Sequence, residues 1–176
     1  MNRRFDEAGK TFFSDNAIYD AVEYPAHYAV YPVQPIELTR HLDFCLGNAV
    51  KYTLRAPYKG GFEDCEKAIK YLEWVKEGYY TPITAFRYRL FNKSYEKLSE
   101  FLAEASGDAL WEEIASNTLS FLSDLNDYLL YNTHYSLIDC MSYSAEELAR
   151  VLNLRDTVGQ IYQGMSGLPN TDSAKD

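Results

Sequence analysis

The chain has 176 residues, 47% of them hydrophobic, which is the length of one ordinary domain and enough to bury a core. Its net charge of −9 excludes a uniformly basic nucleic-acid coat, and six Pro and nine Gly exclude a collagen-like or disordered composition. Three Cys, few and odd in number, fit a reducing compartment better than a disulfide framework.

The charge is unevenly spread. Residues 1–39 carry a net −3, residues 40–97 a net +4 and residues 98–176 a net −10. A phosphate-bearing ligand is therefore drawn to the middle of the chain. The start, Met1-Asn2-Arg3-Arg4-Phe5-Asp6-Glu7, has no apolar run behind its arginines and does not read as a signal peptide. No stretch approaches the roughly 18 uncharged apolar residues of a membrane span, so no membrane partner is expected.

Residues 1–35 read as an irregular arm, because Pro25, Pro32 and Pro35 each remove a donor and restrain the residue before. Tyr28 to Val33 alternates weakly and leaves room for one short strand. Residues 36–56 read as helix, with a break allowed near His41. Leu42, Cys45, Leu46, Ala49, Val50, Thr53 and Leu54 fall on one side. His41, Phe44, Asn48, Lys51, Tyr52 and Arg55 fall on the other. Gly47 sits inside this helix, which suggests close packing or close ligand approach. Pro57 ends it and Gly60-Gly61 makes the turn.

The next helix covers 63–77, with Glu63, Asp64 and Glu66 in the first turn, where the dipole favours acids. Its buried stripe is Cys65, Ala68, Ile69, Leu72 and Val75. Asp64, Lys67 and Tyr71 lie at the border, and Gly78 suits the C′ position. Three further helices are predicted at 83–105, 108–131 and 144–162, the last opened by a Ser144–Glu147 capping box. The expected fold is mainly α: a helical hairpin core within a small bundle. The expected divisions are an arm (1–35), a core (36–78), a helical extension (79–163) and a mobile tail (164–176).

Gly9-Lys10-Thr11 resembles the end of a P-loop, but Arg4 stands where the motif needs glycine and no strand precedes it. His27, His41, His134 and the three Cys offer no close zinc-ligand pair. Asn48, Lys51, Tyr52 and Arg55 project from adjacent turns of one helix face. Lys59 follows on the loop, and a hairpin could bring Lys67 back toward Arg55. Such cations suit phosphate oxygens, and the amide and phenol suit a base or sugar. The same spacing also fits a solvated face with Tyr52 half-buried. The acids of the second helix could serve magnesium or simply the helix dipole.

The run His27-Tyr28, Pro35-Ile36-Glu37, Phe44-Cys45-Leu46-Gly47-Asn48-Ala49-Val50-Lys51-Tyr52-Thr53-Leu54-Arg55, Lys59-Gly60, Glu63-Asp64, Lys67-Ala68 and Tyr71-Leu72 carries a recognisable pattern. Over about residues 25–76 it resembles a small tailed-phage family, first catalogued as a domain of unknown function, that includes a phage nucleotide kinase lacking a P-loop. The resemblance implies a phage or prophage protein acting on nucleotides in the bacterial cytoplasm, by phosphoryl transfer from ATP to a deoxynucleoside monophosphate with magnesium. The expected site residues are Lys51, Arg55 and Lys67 on the phosphates, Asn48 and Tyr52 on the base or sugar, Tyr28 and Lys59 beside the nucleotide, His27 closing the site from the arm, and Asp64 on the metal. The sequence departs from the pattern in a short segment between Ile36 and Phe44 and in Pro57. The alternatives are a non-catalytic binder that sequesters a nucleotide signal, and an acidic helical interaction protein. An all-α pyrophosphatase is half met by Glu63 and Glu66. Nucleic acid is not an expected partner, whereas a second subunit completing the site is.

Overall fold

Pro35 opens the first helix of the computed structural model, which describes residues 29–131 and 135–166. Helix α1 (Pro35–Thr39) is a single turn, α2 is Phe44–Arg55 and α3 is Gly61–Lys76. They are followed by α4 (Ala85–Ala103), α5 (Ala109–Tyr131) and α6 (Tyr135–Ser166). The protein is all-α, with no strand among the described residues. His27, Tyr28, His134 and most of the expected tail lie outside the described residues.

The hairpin of α2 and α3 follows directly from its punctuation. The Asp43 carboxylate caps α2 by accepting from Leu46 N at 2.9 Å. At the far end Pro57 has no N–H for the regular ladder, and Ala56–Gly60 widens into one π-helical turn closed by Gly61 N–H on Ala56 O. Gly61 then sits at φ 51°, ψ −138°, a conformation costly for any residue with a Cβ. Gly78, at φ 95°, ends α3 as expected: its N–H donates to Val75 O and that of Tyr79 to Trp74 O. Gly47 marks close packing, since a Cβ there would lie 3.3 Å from Thr39 O.

The buried face of α2 is the one expected: Cys45, Leu46, Ala49, Val50, Thr53 and Leu54 are all buried, as is Leu42 in the link before it. It shares one core with Leu72 and Val75 of α3, Phe91 and Leu98 of α4, Phe121 and Leu125 of α5, and Ile138 and Met141 of α6. A second cluster lies under the π turn, where Ala56 and Cys65 meet Ile114, Leu148, Val151 and Leu152. The Arg155 guanidinium of α6 donates to Pro57 O at 2.6 Å and ties the turn to the bundle. The extension and the hairpin thus share their apolar interior.

Three expectations are corrected. Residues 29–33 form turns and bends, not a strand. Val30, Tyr31 and Val33 are all buried, which breaks a two-residue alternation, and Tyr31 Oη donates to Leu54 O at 2.9 Å. Ser144 does not cap a helix. It lies inside α6, buried, with its hydroxyl donating to Ser120 Oγ at 3.1 Å. Ile138, Met141, Ala145, Leu148 and Leu152 keep a helical spacing straight through that position. His41 does not belong to a polar helix face. It sits in the link between α1 and α2, 8% exposed, its Nε2 accepting from Arg40 Nε. Arg87 of α4 donates to the carbonyls of Arg40 and Leu42 and holds this link in place.

Candidate functional site

The outer face of the α2–α3 hairpin gathers most of the expected site residues. The π turn sets the two helices so that Arg55, at the end of α2, meets Asp64, in the first turn of α3. The pair is bidentate: Arg55 Nε lies 2.6 Å from Asp64 Oδ2 and Nη2 2.7 Å from Oδ1. Asp64 is fully buried while Arg55 stays partly exposed. Lys67 Nζ reaches Asp64 Oδ1 at 3.3 Å and Glu63 at 3.5 Å. Burial alone would raise the Asp64 carboxyl, but the hydrogen bonds and charge of Arg55, followed by those of Lys67, hold it below the usual carboxylate range. The hydrogen bond to Asp64 raises the Lys67 ammonium.

Gly60 makes this pair possible. A Cβ at that position would collide with the Asp64 carboxylate, which Arg55 pins in place.

Tyr52 stands at the centre of the cations. Lys51 Nζ lies 4.1 Å from its ring centroid, the Arg55 guanidinium 4.8 Å and Lys67 Nζ 5.7 Å. The ring stacks against Tyr71 at 5.9 Å. Tyr71 meets Phe44 edge-on at 5.7 Å and Trp74 at 5.0 Å, and Lys70 lies over Trp74 at 5.8 Å. Asn48 is engaged within its own helix: Nδ2 donates to Phe44 O at 2.8 Å and Oδ1 accepts from Lys51 at 2.6 Å. Lys59 is exposed on the π turn, outside this set of ring and ion-pair contacts.

Arg55, Lys67, Lys51 and Tyr52 are therefore brought together, as the hairpin reading expected. The helix wheel already placed Phe44 with them. It left Tyr71 and Asp64 at the border, and the aromatic role of Trp74 was not visible, since contacts across a hairpin depend on its turn.

Asp64 does not fit a metal. Both of its oxygens accept from cationic side chains. Among the described residues no group of three His, Cys, Asp or Glu side chains could hold an ion. Among the described residues, one groove lies between α5 and α6 near Asp124 and Tyr143 and another between α3 and α6 near Phe62 and Arg150. No described helix is long and apolar enough to cross a membrane.

Residues 22–73 match the model of a family described as a protein of unknown function (DUF3310). The match covers the stretch that holds the hairpin face up to Glu73 and carries no activity with it. No curated protein and no solved structure matches the chain.

Proposed function

We propose that the outer face of the α2–α3 hairpin binds the phosphates of a nucleotide. The observation behind this reading is the convergence of Lys51, Arg55 and Lys67 around one tyrosine ring, with Arg55 pre-oriented by a buried carboxylate. A guanidinium fixed on Asp64 through Nε and Nη2 and flanked by two ammonium groups brings positive charge to phosphate oxygens at little ordering cost. The aromatic stripe beside them supplies apolar area for the rest of the ligand.

Phosphoryl transfer from ATP, as in the resembling phage kinase, is the second reading, and it needs more than this face offers. Asp64 is engaged by Arg55 and Lys67, so a magnesium ion would have to come in with the nucleotide and be held by other groups. Binding without turnover is therefore the reading the geometry favours.

A thermal-shift panel of nucleoside mono- and triphosphates, with and without magnesium, tests it on wild type and Lys51→Ala. Lys51 is preferred to Arg55 for substitution, because removing Arg55 strands a buried carboxylate and costs about 3–5 kcal/mol of stability by itself. Wild type should gain up to about 2.7 kcal/mol when nucleotide is at a hundred times its Kd. The gain should shrink with salt and in Lys51→Ala. Product formation on mixing ATP with a deoxynucleoside monophosphate would move the reading to a kinase. No shift with any nucleotide would reject both and leave an interaction role for the acidic α5–α6 surface.

A further inference from the structure

We infer that Phe44 is the base-stacking residue of this face, and that the face therefore takes purine nucleotides in preference to pyrimidine ones. The inference rests on the phosphate reading above and adds the polarity and class of the ligand.

Phe44 opens α2 and is 73% exposed, the most exposed large hydrophobic side chain among the described residues. It is not an isolated surface ring. Among the described residues its ring meets Tyr71, edge-on at 5.7 Å, and through Tyr71 it joins Tyr52 and Trp74. Tyr52 and Tyr71 are stacked on each other, and cations lie around the Tyr52 ring. Phe44 is thus the ring of the stripe with most of its surface left for a ligand.

Its position suits that role. Phe44, Asn48, Lys51 or Tyr52, and Arg55 succeed one another up one helix face. Seven residues separate Phe44 from Lys51, a rise of about 10 Å along α2. A base on Phe44 would place its sugar beside Asn48 and its phosphates on Lys51, Arg55 and Lys67.

The amide of Asn48 has both ends engaged on its own helix. Stacking, not hydrogen-bond reading, then dominates recognition of the base. Stacking grows with ring area, so purines bind tighter than pyrimidines, and adenine and guanine bind alike.

The test compares binding of ATP, GTP, CTP and inorganic tripolyphosphate by calorimetry to wild type, Phe44→Ala, Phe44→Tyr and Lys51→Ala. So exposed a side chain can be truncated without loss of fold, which circular dichroism checks. Phe44→Ala should weaken ATP and GTP about tenfold or more, leave tripolyphosphate unchanged, and be rescued in Phe44→Tyr. Lys51→Ala should weaken all four ligands.

Equal ATP affinity in wild type and Phe44→Ala would overturn the inference, as would CTP binding as tightly as ATP. So would equal loss of tripolyphosphate and ATP in Phe44→Ala. In each of these cases the phosphate reading survives if wild type binds tripolyphosphate. Failure of wild type to bind any of the four ligands removes that reading and the Phe44 assignment with it.

Discussion

Gly60 and Asp64 compete for one small volume beside the π turn. Gly60 has φ −95° and ψ −9°, a conformation open to alanine, so its backbone alone does not require glycine. A Gly→Ala change at such a site ordinarily stabilises by about 0.4–1 kcal/mol through the unfolded chain. Here the new Cβ would displace the Asp64 carboxylate from Arg55. Gly60→Ala is therefore expected to destabilise by about 1–3 kcal/mol in chemical denaturation and to weaken nucleotide binding. Gly159 in α6, where a Cβ meets nothing within 4 Å, is the control, with a gain of up to about 1 kcal/mol on change to Ala. Sequence spacing showed that Lys67 could return toward Arg55 across a hairpin. It could not show that Asp64 would be buried between them, because a helix wheel treats each helix alone. The exclusion of any side chain at Gly60 was hidden for the same reason.

The link between α1 and α2 shows how a short element is held by its neighbours. His41 is buried beside Arg40 of the link and Arg87 of α4. Burial first, and then these two cations, lower its pKa from the usual 6.5, so the folded protein keeps the ring neutral. The unfolded chain then binds the proton more readily than the folded one. The contribution is complete above pH 6.5 and is lost as pH falls below that value toward the depressed folded pKa. The unfolding midpoint should rise with pH across this window, and His41→Gln should flatten the rise. A pH-independent midpoint in wild type would contradict the burial argument. The break near His41 was legible in the sequence, as were the turn at Pro57 to Gly61 and the stop at Gly78, since proline and glycine act on the backbone directly. The start of α6 was not. The spacing Ser144-x-x-Glu147 satisfies a cap pattern, yet the apolar periodicity runs through it and tertiary burial decides.

At the scale of the whole molecule, composition and periodicity were enough for the all-α class and the buried stripes of the hairpin. They did not show that the hairpin and the later helices share one apolar interior. The apolar side of α2 and α3 is covered by α4, α5 and α6, and α2 is only 12 residues long. Helices of about 12–15 residues are marginal in water without such cover. The segment 36–78 alone should therefore show weak helicity and no cooperative melt by circular dichroism. A native-like cooperative transition in that fragment would contradict a shared interior. Most acidic residues of 98–176 lie on α4, α5 and α6, the helices that give the basic hairpin its packing partners. The same packing has a consequence for thiol chemistry. Cys65 is fully buried under the π turn, and burial, with Asp64 and Glu66 adding to it, pushes its thiol up to about 12, whereas Cys140 is exposed. An alkylating reagent meets Cys140 in the native molecule but Cys65 only when the hairpin lifts from α6, so the labelling rate of Cys65 is a built-in clock for hairpin opening.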